Sequence, residues 1–397
     1  MKAEGGMTNG EWKTVSLNAV ATIERSAIQP DAISRGTAYL GLEHIESGGR
    51  ILGAKPVDEG ELASSKFKFT ERHVLYGKLR PYLAKIACPD FTGICSTDIL
   101  PILPGPDLER RFLCYFLRQP PMVDYANLRA TGANLPRLSP SALAGFEIPL
   151  PPLAAQRRIA EVLDRAEALR AKRRAALAQL DSLTQSLFRD LFGDTRKERT
   201  RWPTVPLEEI VRETKLGLVR GSQEFGPEFP IPYVRMNAIT RNGELELGNV
   251  QRTHATEAEV EAYRLEPGDF LFNTRNSEEL VGKTALYRGG GLHLFNNNLM
   301  RVRFTAKADP VFVAAAFKTA FVQHELNLRK SGTTNVFAIY YKDLRSLPLP
   351  LPPISLQREF ARRVTAVEAL KTAQRASLAE LDALFATLQH RAFHGEL

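Results

Sequence analysis

Residues Pro149–Arg157 read PLPPLAAQR and residues Pro350–Arg358 read PLPPISLQR, so nearly the same segment occurs twice. The second copy lies 201 positions after the first, and the same shift continues without a gap as far as Phe192. Self-similarity at a fixed shift indicates an internal duplication, which must be recognised before other features of a fold are interpreted. The chain therefore consists of two related halves.

Weaker matches lie upstream of each copy. WKTVSL at Trp12–Leu17 returns as WPTVPL at Trp202–Leu207, and YLGLEHI at Tyr39–Ile45 has a looser counterpart, YVRMNAI, at Tyr233–Ile239. Between these matches the halves differ in most polar residues. We therefore predict four parts in alternation: a divergent module at 1–148, a long matched segment at 149–195, a second module at 196–347 and a second matched segment at 348–397.

The matched segments are predicted to be long helices. A Leu-Pro-Pro segment suits the extended start of each helix, and Gly193 and Gly395 suit its end. Between these limits the residues at steps of three and four form a coiled-coil seam with few polar interruptions. The seam contains Ile159, Val162, Ala166, Leu169, Arg173, Ala176, Leu180, Leu183 and Leu187, and then Phe360, Arg363, Val367, Leu370, Gln374, Ser377, Leu381, Leu384 and Leu388.

A helix of about 39 residues is roughly 58 Å long, which is more than one module can cover. We therefore expect the two helices to pack on each other in an antiparallel pair, with one module at each end. Arg173 and Gln374 occupy one level of this seam and would fix its register. The alternative is that both side chains only extend to solvent from a wide seam.

The modules mix strand and helix signals. Short β-type runs such as Tyr39–Leu42 and Phe270–Phe272 lie between Gly, Pro and Asn turn signals, whereas Arg111–Leu117 and Pro310–Val322 are apolar and helical in character. The predicted fold class is α+β, with two pseudo-repeated mixed α/β modules joined by two long antiparallel coiled-coil helices.

Composition limits the choice of function classes. Of the 397 residues, 44% are hydrophobic and 25% charged, as in soluble globular proteins. No apolar run suggests a signal peptide or a membrane span, and three cysteines without a CxxC pair suit a reducing cytoplasm. The net charge of +8 permits an acidic polymer as partner without requiring one.

Familiar catalytic patterns are missing from the sequence. Gly282-Lys283-Thr284 resembles the end of a phosphate-binding loop, but Ser277 stands where that motif needs glycine. His44 forms no HExxH motif, and the histidines and cysteines show no metal-ligand spacing. We therefore expect no catalytic residue and no metal site.

Residues suited to reading DNA bases are frequent in the loops. Arg and Lys donate to guanine, and Asn pairs with adenine. Thr131-Gly132-Ala133-Asn134 and Ser331-Gly332-Thr333-Thr334 place Gly-flanked polar loops at matching positions. The alternative is that these loops are polar only because loops are polar in any protein. The basic run Arg170–Arg174 on the first helix suits either phosphate contacts or a solvated helix face. The candidates for DNA contact are Lys78, Arg80, Asn134, Arg137, Arg275, Asn276, Asn296, Asn297, Asn298, Thr333, Thr334 and Asn335.

Two divergent modules, each followed by Leu-Pro-Pro-Leu/Ile-x-x-Gln and a long helix, resemble the DNA-specificity subunits of type I restriction-modification systems. The resemblance covers essentially the whole chain. Its most specific pieces are the segments at 150–159 and 351–360, KLRPYLAK at Lys78–Lys85 and FNTRNSEELVGK at Phe272–Lys283. Ala155 and Leu356 stand where the family usually has an acidic residue, which puts the capping of the helix starts in doubt.

The resemblance implies a non-catalytic subunit. Each module would be a target-recognition domain reading one half of a bipartite, asymmetric double-stranded DNA site, and the helices would set the spacing. Two methyltransferase subunits carrying S-adenosylmethionine would bind this chain and methylate adenine, and two motor-nuclease subunits could join them. Gln156 and Gln357 are candidates for the partner interface, with an ordinary hydrogen bond at the helix start as the alternative.

Three other functions stay open at this point. The chain could serve a methylation-only or other phage-defence complex, act as a stand-alone DNA-binding regulator, or be an enzyme whose catalytic residues follow no familiar motif. The fused repeat and the lack of a clear helix-turn-helix weigh against the regulator. Methylation or cleavage by the isolated chain, which we expect to be nil, would identify an enzyme.

Overall fold

The computed structural model describes residues 12–58, 60–193, 202–333 and 335–397. The chain divides into two compact units: unit 1 comprises Met1–Arg174 with Ala376–Leu397, and unit 2 comprises Ala175–Arg375. Each unit contains one module and a part of each long helix. This grouping differs from the four-part division of the sequence because each module packs against segments of both helices.

The module of unit 1 consists of short elements. Its helices are α1 (Leu17–Val20), α2 (Arg110–Leu117), α3 (Pro120–Leu128) and α4 (Pro140–Ala144). Its strands are β1 (Lys13–Ser16), β2 (Ala21–Ile23), β3 (Ala27–Ile28), β4 (Ala38–Leu40), β5 (Lys55–Pro56), β6 (Lys66–Phe69), β7 (Val74–Gly77), β8 (Ile86–Ala87), β9 (Gly93–Cys95), β10 (Ile99–Pro104) and β11 (Glu147–Leu150).

The strands of unit 1 form three sheets. An antiparallel sheet has the order β2-β10-β7-β8, a second has the order β3-β6-β9-β4-β5 with β4 and β9 parallel, and β1 pairs with β11. β7 is buried along its whole length, as expected for a central strand covered on both faces. α2 packs against β7, and the Glu109 side chain accepts a hydrogen bond from the Phe112 amide at the start of this helix.

The module of unit 2 repeats this plan. Its helices are α6 (Glu257–Tyr263), α7 (Pro310–Ala316), α8 (Ala320–Asn327) and α9 (Tyr341–Leu344). Its strands are β12 (Thr204–Pro206), β13 (Val211–Leu216), β14 (Ile231–Val234), β15 (Gln251–Thr253), β16 (Phe270–Asn273), β17 (Arg275–Asn276), β18 (Thr284–Leu286), β19 (Leu294–Phe295), β20 (Leu299–Phe304), β21 (Ser331–Thr333), β22 (Val336–Ala338) and β23 (Pro348–Pro350).

Several sheets of unit 2 have counterparts in unit 1. The antiparallel order β13-β20-β16-β18 corresponds to β2-β10-β7-β8, and β14 runs parallel to β19 as β4 does to β9. A pairing of β12 with β23 and a three-stranded sheet β17-β22-β21 complete the module. The duplication inferred from the sequence is therefore a duplication of topology, and the mixed α/β class is confirmed.

The two long helices are α5 (Leu153–Phe192) and α10 (Ile354–Phe393), each of 40 residues. In unit 1, Ile159 and Leu163 of α5 share a core with Phe393, while Arg170 pairs with Asp382. Later residues of α5 thus meet earlier residues of α10, so the helix segments of this unit are antiparallel, as predicted.

The segments in unit 2 are antiparallel as well. Phe188 and Phe192 of α5 pack against Phe360 near the start of α10 and against Phe312 of α7, while Asp181 pairs with Lys371. Because the modules also cover the helices, the buried faces are not a simple coiled-coil seam. Four predicted seam leucines are instead exposed, namely Leu169, Leu183, Leu370 and Leu384.

Within the described part of the chain, every helix is too short or too polar to cross a membrane. The thiols of Cys88, Cys95 and Cys114 are free.

Candidate nucleic-acid interface

In unit 1 the loop after β7 lies beside the hairpin formed by residues 131–137. The Arg80 amide donates to the Pro136 carbonyl at 2.7 Å, and the Leu138 amide donates to the Lys78 carbonyl at 2.9 Å. Bridges join Leu79 to Arg137 and Arg137 to Thr131. The structure thereby brings Arg137 beside Lys78 and Arg80, from which it is distant in sequence.

We call the loop 78–85 together with the hairpin 131–137 the tip of unit 1. The Asp98 carboxylate lies close to two cations of this tip. Its Oδ1 lies 3.8 Å from Lys78 Nζ and 3.2 Å from Arg137 Nε. Arg80 and Asn134 are exposed, and their side chains have no hydrogen-bond partner among the described residues. The tip therefore offers one free guanidinium, one free amide and two cations held in place by a shared carboxylate.

In unit 2 the equivalent segments form a small sheet, which is the tip of this unit. Arg275 and Asn276 of β17 pair with Ala338 and Phe337 of β22, which also pairs with β21. Arg275 is exposed and donates from Nη2 to the Tyr340 hydroxyl at 2.6 Å. This second tip thus brings Arg275 and Asn276 beside the Gly-flanked loop that the sequence analysis singled out.

The remaining candidates of unit 2 divide into exposed and structural residues. Asn297 and Asn335 are exposed. Asn296 is buried, and the half-buried Asn298 accepts from the Thr274 amide through its own carbonyl at 2.9 Å, so both belong to the framework of the turn. The side chain of Thr333 and the whole of Thr334 lie outside the described residues.

The two tips share one unusual backbone position. Ala84 has φ 47°, and Gly282, its counterpart before the lysine that ends each tract, has φ 85°. Arg80 also lies in the left-handed region, with φ 52°. Non-glycine residues in this region are strained and concentrate at functional sites. The turn 80–84 therefore stores strain in the part of unit 1 that carries the DNA candidates.

The lysines that end the two tracts fasten the tips to the modules. Lys85 Nζ donates to the Leu42 carbonyl at 2.6 Å, and Lys283 Nζ donates to the Ile239 carbonyl. Burial lowers the pKa of Lys283, and the charge of Arg241 adds to this effect. The Gly282-Lys283-Thr284 sequence thus forms a structural anchor, because its ammonium group is bound to backbone oxygens.

Gln156 and Gln357 are fully buried at the starts of α5 and α10. Gln156 Oε1 accepts from the Glu109 amide at 2.8 Å, and Nε2 donates to the Asp107 and Pro151 carbonyls. Gln357 makes the equivalent bonds to Asp309, Lys307 and Pro352. This corrects the expectation of a partner interface: side chains with all their polar atoms satisfied inside a unit present nothing to another subunit.

The basic run on α5 is engaged in ion pairs. Arg170 and Arg174 both reach Glu167 and Asp382. Sequence reasoning overlooked these cross-helix pairs, although Glu167, Arg170 and Asp382 have the equivalents Glu368, Lys371 and Asp181 at the shift of 201. Arg173 and Gln374 are half-buried, and the register role assigned to them stays a prediction.

No group of three or more His, Cys, Asp or Glu side chains in the described ranges is placed to hold a metal ion. The two tips instead display guanidinium, ammonium and amide groups. Such groups suit hydrogen bonds to base edges and to phosphates.

Comparison with known proteins finds similarity over parts of the chain. The family described as Type I restriction modification DNA specificity domain matches residues 9–179. The Type I restriction enzyme EcoKI specificity subunit of Escherichia coli (strain K12) is 26% identical over 305 residues, 72% of this chain and 65% of that protein. The Type I restriction enzyme EcoDI specificity subunit of Escherichia coli is 29% identical over 186 residues, 46% of this chain and 41% of that protein. The chain thus spans less than two thirds of each relative.

Solved structures share the fold. The Type-I restriction-modification system S subunit from M. genitalium matches over 96% of both chains, with a TM-score of 0.59 and 15% identity. A chain from a structure describing complex assembly and conformational transition of the type I R-M system matches over 98% of this chain and 100% of its own, with a TM-score of 0.55 and 23% identity.

Over residues 9–179 this chain is thus similar to the Type I restriction modification DNA specificity domain, and the relatives that it resembles are specificity subunits of type I restriction enzymes.

Proposed function

We propose that this chain directs a type I restriction-modification complex to a bipartite, asymmetric DNA sequence, each module reading one half of it. The observation that carries the proposal is the repeated tip: one backbone framework displays Arg80 and Arg137 in unit 1 but Arg275 and Asn276 in unit 2. An asymmetric target requires a common frame for position and different side chains for different bases.

The same proposal assigns the chemistry to partners. Two methyltransferase subunits carrying S-adenosylmethionine transfer its methyl group to adenine, and two motor-nuclease subunits restrict unmodified DNA. This chain contributes recognition and no catalytic group, and the complex works in the cytoplasm. The support is the similarity of residues 9–179 to the type I specificity domain, together with tips that hold donors for DNA.

The methyltransferase docking surfaces are proposed to be the exposed leucines of the long helices. Leu169 corresponds to Leu370, and Leu183 to Leu384, at the shift of 201. In unit 2, Leu183 and Leu370 line a groove of about 450 Å³ together with Leu180. Exposed apolar patches mark protein interaction sites. A repeated pair of patches fits two copies of one partner.

The long helices would set the distance between the half-sites. One turn of DNA is about 34–36 Å long, and each helix spans more than that. If the helices act as a ruler, inserting about one helical turn in both lengthens the unread spacer of the target. An unchanged spacer length would contradict this role of the helices.

The decisive experiment is a methylome. The chain is co-expressed with the methyltransferase encoded beside it, in a host that lacks adenine methylation, and native DNA is sequenced with detection of modified bases. We expect a new gapped, bipartite motif containing methyladenine that disappears when this chain is omitted. The motif gives both half-sites and the spacer together.

Other outcomes separate the alternatives. Specific DNA binding by the chain alone, without any complex with the methyltransferase, would favour a stand-alone regulator. Methylation of the motif without restriction of unmodified DNA, in cells that contain every neighbouring gene, would indicate a methylation-only complex. Methylation or cleavage by the purified chain alone would overturn the non-catalytic role.

A further inference from the structure

Each hairpin exposes an asparagine followed by an aliphatic residue at the same place. Asn134-Leu135 in unit 1 and Asn335-Val336 in unit 2 are related by the shift of 201 that links the long helices. Leu135 is 44% exposed and Val336 49% exposed, and neither belongs to a hydrophobic core cluster. The modules differ in most of their other polar residues, but both hairpins keep this dipeptide.

Backbone pairing holds both dipeptides in place. In unit 1, Thr131 pairs with Arg137 on either side of the dipeptide, and Gly132 has φ 110°. In unit 2, Val336 begins β22 and pairs with Thr333. A single exposed leucine or valine is ordinary on a protein surface. Two at equivalent positions, on anchored hairpins beside the basic tips, point to a shared ligand.

The charge around the dipeptides identifies that ligand. Arg80, whose amide bonds to the residue after Leu135, carries a guanidinium without an acceptor among the described residues. Arg275 is exposed on the strand that pairs with β22. A surface of exposed aliphatic groups beside exposed cations and amides fits the major groove of DNA, where an A·T pair offers both hydrogen-bonding atoms and the thymine methyl group.

We propose that Asn134-Leu135 and Asn335-Val336 act as matched readers of A·T pairs. The asparagine amide pairs with N6 and N7 of adenine, and the leucine or valine contacts the 5-methyl group of a thymine in the same half-site. This inference rests on the proposed function and adds to it one predicted feature of the target: each half-site contains a thymine whose methyl group contributes to binding.

Deoxyuridine, which lacks the 5-methyl group, tests the contact directly. Duplexes carrying the methylome-derived target are made with each half-site thymine replaced in turn by deoxyuridine. Their affinities for the complex of this chain with its methyltransferase are measured by fluorescence anisotropy. We expect one position in each half-site where the replacement weakens binding about fourfold, the equivalent of one buried methyl group.

Variants then assign each methyl group to its reader. Leu135→Ala should abolish the deoxyuridine effect in one half-site and leave the other unchanged, and Val336→Ala should do the reverse. Leu52→Ala and Leu292→Ala, which remove exposed leucines outside the hairpins, serve as controls and should leave both effects intact.

Three results would overturn the inference: no deoxyuridine effect in the wild type, an effect that persists in both hairpin variants, or an equal loss of affinity for all DNA. Loss of methyltransferase binding by Leu135→Ala would reassign this surface to the protein partner. If the wild-type complex yields no methylated motif and binds no DNA specifically, the proposed function fails as well. A motif without a methyl contact defeats only the inference.

Discussion

Arg170 on α5 donates from Nε to the Asp382 carboxylate on α10 at 2.6 Å. The equivalent pair in unit 2 joins Lys371 Nζ to Asp181 at 2.8 Å. Burial opposes the charge on Lys371, but the Asp181 and Glu368 carboxylates outweigh it and raise the pKa of this lysine. Each unit therefore carries one ion pair between its antiparallel helix segments, and the pair is repeated by the duplication.

Breaking this pair should weaken unit 1 modestly. Asp382 is partly exposed, so Asp382→Ala should lower the free energy of unfolding by about 0.5–1 kcal/mol. The measurement is denaturant unfolding of the full chain. Glu380→Ala is the matched control, because Glu380 is an exposed acid on the same helix without an ion pair among the described residues.

The exchange Arg170→Asp with Asp382→Arg adds a test of the pairing itself. The double variant should recover part of the stability that each single variant loses. Additive losses would mean that the two side chains do not interact in solution.

The buried glutamine at the start of α10 should contribute more than this surface pair. Gln357→Ala leaves the Asp309 amide and the Lys307 and Pro352 carbonyls without their partner inside the protein. We expect a loss of about 1–3 kcal/mol in thermal or denaturant unfolding. Gln185→Ala, at an exposed position of α5, should have almost no effect, and an equal loss in both variants would contradict this role of the Gln357 hydrogen bonds.

The repeat made most of the architecture predictable. A shift that preserves PLPPxxxQR and the apolar steps after it can only come from duplicated helices, and α5 and α10 lie where this periodicity placed them. The face of each helix that is buried was less predictable. Leu169 and Leu370 satisfy a coiled-coil heptad yet are exposed, because the modules also cover the helices and shift the buried side.

The site was predictable only in part. Residue type and position singled out Arg80 and Arg275, since cations in Gly- and Pro-rich loops suit DNA. Nothing in the sequence revealed that Asp98 holds Lys78 and Arg137 together, because that contact depends on a strand pairing between distant segments. For Gln156 and Gln357 the sequence left two roles open, a partner contact and a hydrogen bond at the helix start, because burial depends on how the module folds over that start.

Ala84→Gly and Gly282→Ala should change the stability of the protein in opposite directions. Both adopt a left-handed backbone, which costs alanine roughly 1–2 kcal/mol and glycine little. Ala84→Gly should therefore raise stability by up to about 1 kcal/mol, after the greater freedom of glycine in the unfolded chain is deducted.

The reciprocal change Gly282→Ala should lower stability by about 1 kcal/mol, because an added Cβ finds only ordinary contacts, 3.6 Å from Ile339 Cδ1 and 3.8 Å from Phe272 Cζ. Differential scanning calorimetry measures both changes. Melting temperatures that move in the same direction for the two variants would contradict this explanation.

The arginines at the two tips should act on separate half-sites. Arg80→Ala removes a guanidinium from unit 1 and Arg275→Ala removes one from unit 2, so each should relax or abolish recognition in one half-site only. A base contact of this kind contributes about 1–3 kcal/mol of discrimination. Methylome sequencing with each variant gives the affected half-site, and an equal loss for all DNA would leave phosphate anchoring as the role.

Replacing the exposed leucines of the helices should change the number of methyltransferase subunits that bind. Leu183 lines the groove of unit 2, and Leu384 is its equivalent in unit 1. A leucine buried at an interface contributes about 1.5–3 kcal/mol, so Leu183→Asp should weaken one methyltransferase site at least tenfold and leave the other intact. Native mass spectrometry should then show one methyltransferase per chain where the wild type binds two, and Leu384→Asp should do the same. The double variant should bind none, whereas Leu292→Asp, at an exposed loop leucine, should keep both. Two bound copies in every variant would place the docking surface elsewhere on the chain.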